Sequence, residues 1–202
     1  VSYTDPIETI SSNVMGTANV LEALKELNFP CTAIIITSDK AYDNLEQVWG
    51  YKEDDKMGGK DIYSGSKGAA ELIIKSYFHS YFKSTISNVK LAIGRAGNVI
   101  GGGDWAKDRI VTDIVESIEL KRDIVLRSPK AIRPWQHVID VVNGYLKLAI
   151  YNADKKDIFE SFNFGPQKEN EIDVETLTNK FVSNWNSFDS NIVIDNNENF
   201  IV

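Results

Sequence analysis

Cys31-Thr-Ala-Ile-Ile-Ile-Thr-Ser38-Asp39-Lys40, followed by Tyr63-Ser-Gly-Ser-Lys67, decides how this sequence reads. The first stretch is apolar from Cys31 to Thr37 and then turns polar. A continuous apolar run of that length is typical of a strand buried within a parallel sheet. The second stretch opens a helix. Tyr63 and Lys67 stand four residues apart, about one helical turn, so both side chains share a face. An ammonium beside a phenol favours the phenolate and lets it act as a base near neutral pH. Small residues around the pair leave room for a cofactor or a second helix. Each motif also has an ordinary reading. A lone Tyr-x-x-x-Lys is more often a packed tyrosine and a solvated lysine, and Ser-Asp after a strand is usually turn chemistry.

Outward from these runs, helices and strands alternate. Asp5-Pro6 starts a helix that continues through Val14, Leu21, Leu24 and Leu27, with Gly16, Thr17 and Ala18 making it narrow in the middle. Residues 40–61 read as loop, with Gly58-Gly59. A second helix runs from Tyr63 to about Lys83. Val89 to Ile93 is a strand, and Gly94 to Asp104 a glycine-rich loop. A helix from about Asp108 to Leu120 and a short strand Ile124–Leu126 follow. Arg133 to Val138 is extended or turn. Helices near Ile139–Ala153 and Val174–Asn184 flank the strand Phe162–Phe164. The Asn/Asp-rich tail from Ser187 is loop with one weak strand, Asn191–Ile194. The pattern predicts an α/β fold: a partial Rossmann-like, doubly wound parallel sheet plus a smaller, partial α/β region. Sites in such sheets form outside the carboxyl ends of the strands. Ser38-Asp39-Lys40 and Asn98 to Asp104 both follow strands, and Tyr63 belongs on the same rim.

Composition narrows the partners. The 202 residues, 43% hydrophobic and 25% charged, suit one large globular domain, or one and a part. A net charge of −7 argues against nucleic-acid and membrane-surface binding, so an anionic ligand needs a few local arginines. Arg109 and Arg133 are candidates, although such residues are usually solvated surface charges. In Arg133-Pro-Trp-Gln-His137 the proline and tryptophan would hold the arginine rigidly. The single cysteine, Cys31, reads as a buried thiol and leaves no intrachain disulfide framework. No apolar run has membrane-spanning length, and the start Val-Ser-Tyr-Thr-Asp is no signal peptide. The glycine-rich loop does not match Gly-x-x-x-x-Gly-Lys-[Ser/Thr], so nucleoside triphosphate hydrolysis is unsupported. His79 and His137, the only histidines, lack ligand partners at metal spacing; no metal is expected, and His137 reads as a structural hydrogen-bonding residue.

Taken jointly, five runs resemble one family. They are Asn13-Val-Met-Gly-Thr-Ala-Asn-Val-Leu-Glu-Ala, Ser38-Asp39-Lys40-Ala-Tyr42-Asp43-Asn44, Tyr63-Ser-Gly-Ser-Lys67, Arg95-Ala-Gly-Asn98-Val-Ile-Gly-Gly-Gly-Asp104-Trp105-Ala-Lys-Asp-Arg109, and Arg133-Pro-Trp-Gln-His137-Val. The likeness is to the extended short-chain dehydrogenase/reductases, the NAD-dependent epimerases and dehydratases, and covers nearly the whole chain to about Asn184. The Tyr-x-x-x-Lys pair is shared broadly. The Ser-Asp-Lys triplet and the Gly-Gly-Gly-Asp-Trp run are more specific and resemble the sugar-nucleotide 4,6-dehydratase branch acting on CDP-glucose. Relatives acting on dTDP-glucose typically carry Thr-Asp-Glu at Ser38-Asp39-Lys40.

The resemblance implies an NAD-dependent, redox-neutral removal of water from a sugar nucleotide. It implies catalytic roles for Ser38, Asp39, Lys40, Tyr63 and Lys67. Thr37, Tyr63, Lys67 and Arg95 would meet the cofactor, and Asn98, Arg109 and Arg133 the sugar nucleotide. Asp39 fits the acid and Lys40 the base, the latter only as a neutral amine. Residues 1–98 would be the C-terminal part of the NAD-binding domain. Residues 99–202 would be mostly substrate-binding, with returning Rossmann elements. Relatives pair through helices matching residues 6–27 and 63–83, so a homodimer or dimer-based tetramer and a cytoplasmic location are expected. The family's Gly-x-x-Gly-x-x-Gly cofactor loop has no counterpart in the first ninety residues, so the chain reads as an internal piece of a longer enzyme. Two alternatives stand beside this reading: a related sugar-nucleotide epimerase or decarboxylase, and a non-catalytic sugar-nucleotide-binding or dimerising module.

Overall fold

The structure, a computed structural model, describes residues 2–83, 87–106, 108–155, 157–186 and 191–195. It divides into two units, one of Val1–Gly97 with Asp140–Phe164, the other of Asn98–Ile139 with Gly165–Val202. Part of the tail read as loop from Ser187 lies outside the described residues.

The first unit starts with α1 (Pro6–Ile10), a π-helical turn (Ser11–Met15) and α2 (Gly16–Lys25), continuous in direction. Asp5 caps α1 by accepting from the Glu8 amide at 2.9 Å, with Pro6 at the first turn as the sequence suggests. Gly16 was expected to admit close packing, yet an added Cβ there would meet only the Ser11 carbonyl oxygen, at 3.9 Å. β1 (Cys31–Ser38) leads into a 3-10 turn, Asp39–Ala41, and a long loop. α3 (Ile62–Tyr77) follows, ending in a second π-helical turn, Phe78–Phe82. β2 (Val89–Ala96) is in this unit. Its last strand, here β7 (Glu160–Phe164), follows β3 (Val99–Ile100), β4 (Ile124–Leu126), β5 (Ile132–Arg133) and β6 (Gln136–His137) in chain order.

β1, β2 and β7 form a parallel sheet in that order. β2 is central and buried along almost its whole length. It runs three residues past the expected end: Gly94, Arg95 and Ala96 belong to the strand and not to the glycine-rich loop. The loop reading followed the glycine, but Gly94 serves close packing. A Cβ there would lie 2.6 Å from the Tyr145 ring. That ring is on α5 (Val138–Ala153), whose residues from Asp140 onward lie in this unit. β1 also departs from expectation. It is half-buried and not enclosed, with Ile36 56% exposed. It is the edge strand of the described sheet, so only Cys31, Ala33 and Ile35 pack against the core of Leu21, Ile74, Phe78, Phe82, Val89, Leu91 and Ile93. Together these buried side chains supply the main apolar drive of this unit, on the order of 1.5–3 kcal/mol for each fully buried aliphatic or Phe.

The second unit is built from small pairings. β3 pairs β6 in parallel, β4 pairs β9 (Ile192–Ile194) in parallel, and β5 pairs β8 (Ile172–Asp173) antiparallel. Between them stand α4 (Ile110–Glu119) and α6 (Val174–Ser183), the latter capped by Asp173, which accepts from the Thr176 amide at 2.7 Å. Ile114, Ile118, Ile124 and Leu126 form its core. The molecule is thus a mixed α/β protein with a Rossmann-like parallel sheet and an additional α/β region.

Candidate active site

Register fixes where chemistry can gather. Thr37 of β1 pairs Arg95 of β2, and Arg95 pairs Asn163 of β7, so these three form one row across the sheet. In a parallel sheet such a row points its side chains to one face. One residue further along β1, Ser38 ends the strand. Its hydroxyl donates to Asp39 Oδ1 at 3.0 Å and accepts from the Lys40 amide at 3.2 Å, which closes the 3-10 turn. The ordinary turn chemistry is therefore real, and it also presents Ser38 and Asp39 as a hydrogen-bonded pair. Asp39 is half-buried and Lys40 exposed.

α3 supplies the phenol and the amine. Asp61 caps it, accepting from the Ser64 amide at 3.0 Å and the Ser64 hydroxyl at 2.7 Å. Burial pushes the Asp61 carboxyl up most strongly of any single effect. The Ser64 hydroxyl, the amides of Ser64 and Tyr63, and the charge of Lys40 together outweigh it, so the carboxyl is held below its ordinary range. Tyr63 is 38% exposed, and the Lys67 ammonium lies 5.7 Å from its ring centre. Burial alone pulls the Lys67 ammonium below the usual lysine range. The helix lies directly on the turn after β1: a Cβ on Gly68 would sit 3.3 Å from the Ala41 carbonyl oxygen. Larger residues at position 68 would push Tyr63 and Lys67 away from Ser38-Asp39-Lys40. Asn13, in the π-helical turn, donates to Ser66 Oγ at 2.9 Å, and Ser66 donates to the Tyr63 carbonyl at 2.7 Å. An open cavity of about 340 Å³ beside Tyr63 is lined by Ser2, Glu8, Thr9, Ser12 and Asn13.

Beneath these groups Arg95 and Glu71 form a buried ion pair, each only 4% exposed. Arg95 Nε donates to Glu71 Oε1 at 2.8 Å and Nη2 to Oε2 at 2.5 Å. Nη1 donates to the Tyr42 hydroxyl and to the Glu53 carbonyl oxygen, at 2.5 and 2.9 Å. Thr37 Oγ1 donates to Glu71 Oε1 at 2.5 Å. Tyr42 in turn donates to Asn163 Oδ1 at 2.7 Å and stacks on Tyr51 at 5.0 Å. Burial works against the Arg95 charge, but Glu71 and Tyr42 hold its pKa above even the usual arginine value.

Thr37, Ser38, Asp39, Lys40, Tyr63, Lys67 and Arg95 thus lie in the first unit, on the tips of β1 and β2 and the first two turns of α3. Asn98, Arg109 and Arg133 lie in the second. Asn98 is half-buried and its carbonyl accepts from the Gln136 amide at 3.0 Å. Arg109 is exposed at the start of α4, and its carbonyl accepts from the Asp113 amide at 2.8 Å. Arg133 Nη1 donates to the Ile132 carbonyl oxygen at 2.9 Å. His137 Nδ1 accepts from the Ile139 amide at 3.2 Å, a structural hydrogen bond as read from the sequence. Among the described residues no cluster of His, Cys, Asp or Glu could hold a metal ion. Among them, too, no helix is long and apolar enough to cross a membrane.

Sequence reasoning missed Glu71, Asp61 and Asn163. A signal for Glu71 existed: it shares a helical face with Ile74 and Phe78, and a carboxylate on a core-facing stripe demands a partner.

Residues 1–165 match the family described as NAD dependent epimerase/dehydratase. CDP-glucose 4,6-dehydratase of Salmonella typhimurium is 47% identical over 190 residues, which cover 92% of this chain and 53% of that protein. CDP-paratose 2-epimerase of Salmonella typhi is 25% identical over 177 residues, 76% of this chain and 50% of that one. UDP-glucose 4-epimerase of Thermotoga maritima superposes with a TM-score of 0.79 at 21% identity, over 96% of this chain and 59% of that one. A dTDP-glucose 4,6-dehydratase from Streptomyces venezuelae with NAD bound gives 0.74 at 18%, over 96% and 56%. At those identities the structural likeness speaks for the fold. The chain spans about half the length of these curated relatives. With the strand tips, the turn after β1 and the helix bearing Tyr63 and Lys67 all inside the matched span, the chain belongs to the NAD dependent epimerase/dehydratase family.

Proposed function

We infer that this chain belongs to an enzyme that converts CDP-glucose to CDP-4-keto-6-deoxyglucose with NAD. The observation that carries this reading is the 47% identity to a CDP-glucose 4,6-dehydratase across 92% of the chain. The first unit would hold the cofactor and the second the sugar nucleotide. In residue terms, 1–97 with 140–164 would form the C-terminal part of the cofactor domain, and 98–139 with 165–202 the substrate region.

The residues present suit the nicotinamide end of the cofactor. Three parallel strands end side by side there, the end at which doubly wound sheets bind dinucleotides, and a Cβ on Gly65 would meet nothing within 4 Å. Tyr63 and Lys67 would hold it from α3, and Thr37 and Arg95 would form its floor. When bound, NAD⁺ would supply the acceptor for a hydride from C4 of the sugar and, once reduced, the donor to C6. Tyr63 takes the C4 hydroxyl proton, with the Lys67 ammonium stabilising the phenolate and Ser38 sharing the hydrogen bond to the C4 oxygen. The resulting 4-keto group acidifies the C5 proton, which Lys40 removes and gives back to C5 when C6 takes up the hydride. Asp39 protonates the departing C6 hydroxyl, which leaves as water. Arg109 and Arg133 match the charge and planar geometry of a diphosphate, and Asn98 adds a polar contact. Exposed Ile7 on α1, Met15 in the π-helical turn, Val20 on α2 and Leu72 on α3 support pairing of two copies through those helices, as a dimer or a tetramer built from it. A cytoplasmic location fits a nucleotide-sugar substrate.

The test uses the full gene product with NAD⁺ and, separately, CDP-, dTDP- and UDP-glucose. Loss of one water from CDP-glucose, followed by mass spectrometry and NMR, is the expected result. An epimer without loss of water, or no reaction with any of the three, refutes the reading. In Lys40→Ala, exchange of solvent deuterium into C5 is expected to stop; unchanged exchange removes Lys40 from the base role.

A further inference from the structure

We propose that Glu71 is a positioning residue, which through the row Thr37–Arg95–Asn163 sets where α3 holds Tyr63 and Lys67 against the tips of the sheet. The proposal rests on the reading above for what the pair does, and on geometry for how it is placed. Tyr63, Lys67 and Glu71 follow one another at four-residue spacing, so they run along one side of α3 for two turns. Glu71 is the only one of the three that is buried. Its carboxylate accepts from Thr37 on β1 and Arg95 on β2, which are register partners. Arg95 passes the connection to the loop before α3 through Tyr42 and the Glu53 carbonyl. The loop closes the circuit on β7: Tyr42 donates to the Asn163 side chain, the Asn163 amide donates to Glu53 Oε1 at 2.8 Å, and Asn163 Nδ2 donates to the Tyr51 carbonyl at 2.8 Å.

One side chain of α3 thus meets two strands at once, immediately before Ser38-Asp39-Lys40. A helix sliding or turning on the sheet would break a charged, desolvated contact, which a purely apolar seam would not forbid. The Nε, Nη1 and Nη2 groups of Arg95 all have acceptors within the protein, so its guanidinium acts from below the site through Glu71. Such bracing matters for this chemistry because proton and hydride transfer need the phenol and the sugar within a fraction of an ångström, and a 1 Å misplacement can cost about 10²-fold.

Glu71→Gln in the full gene product is the direct test. At neutral pH, with rates expressed per folded molecule, kcat is expected to fall about 10²-fold while KM for NAD⁺ and for sugar nucleotide stays within about threefold. An unchanged kcat, or a loss carried by the KM for NAD⁺, overturns the proposal, since a structural or cofactor-holding role would act there. Should Glu71→Gln not fold, Thr37→Val decides. Valine keeps the ion pair and the bulk that threonine gives the cofactor floor and removes the hydroxyl tie from β1 to Glu71, and about a tenfold loss in kcat at unchanged KM is expected. Unchanged kcat overturns. If the unaltered protein dehydrates no sugar nucleotide, the functional reading fails by itself, and hydrogen exchange still judges the bracing. In Thr37→Val the amides of residues 63–67 then exchange faster than in the unaltered protein if the proposal holds, and at the same rate if it does not.

Discussion

Arg95 meets Glu71 where each is 4% exposed, whereas Lys130 meets Glu175 at 2.6 Å with the lysine side chain 78% exposed. The first pair lies in the unit of β1, β2 and β7, the second in the unit of α4 and α6. Both are short contacts between opposite charges, yet they do different work. A buried pair survives only where every lone pair and N–H is met, so its neighbours must be placed to match, and here Thr37, Tyr42 and the Glu53 carbonyl are. A solvated pair demands nothing of its surroundings and adds little stability. The lesson is that charge specifies geometry in the first unit and leaves it free in the second.

The comparison breaks most directly at Arg95. Arg95→Met leaves Glu71 buried without its counter-charge and should cost about 3–5 kcal/mol, read as a fall in the urea midpoint of the first unit. Apolar truncation comes next and should be felt equally in both units. Leu91→Ala and Ile114→Ala, both at 0% exposed positions, should each cost about 2–5 kcal/mol by the same measurement. Asp61→Ala removes the cap of α3 and should cost about 1 kcal/mol. Because the Asp61 carboxyl is held below its ordinary range, its contribution is present above the usual aspartate pKa. It is lost as pH falls through the lowered value, so stability curves of Asp61 and Asp61→Asn proteins should converge in acid. Lys67 carries the opposite sign. Burial pulls its pKa down, so the charged form weakens folding fully below that value, and the penalty fades as pH rises from it to the usual lysine pKa. Lys67→Met should therefore melt no earlier at neutral pH while losing turnover. In the unaltered enzyme, activity that needs the ammonium should decline on the alkaline side earlier than for an ordinary lysine. The smallest effect is at the solvated pair: Lys130→Ala should leave the melting midpoint unchanged at any salt concentration.

Much of this was legible in the sequence because periodicity and turn chemistry are local. The strand Ile124–Leu126, the capped start at Asp5-Pro6 and the polar turn at Ser38 fall where residue pattern alone puts them. Two errors have one physical source. Cys31–Thr37 read as enclosed and Gly94 as loop because an apolar run and a glycine look the same whatever packs on them. Only the position of β1 in the sheet and of the Tyr145 ring against Gly94 decides. At the site, the Tyr63–Lys67 pair was legible because both groups lie on one turn. The ties of Glu71 to Arg95 and of Tyr42 to Asn163 join residues 24 and 121 positions apart and leave no periodic trace.

The π-helical turn at Ser11–Met15 carries one more consequence. A wide turn adds a residue without adding a full step, and just after it the Thr17 hydroxyl donates back to the Asn13 carbonyl at 2.6 Å. It acts as a phase shifter: residues before it face about 100° away from where an unbroken α-helix would aim them. Deleting a single residue there would leave α2 on its core at Leu21 but swing Ile7 and Glu8 around the axis and pull Asn13 off Ser66. The wall of the hollow beside Tyr63, part of which this turn supplies through Ser12 and Asn13, would be redrawn by the loss of one residue.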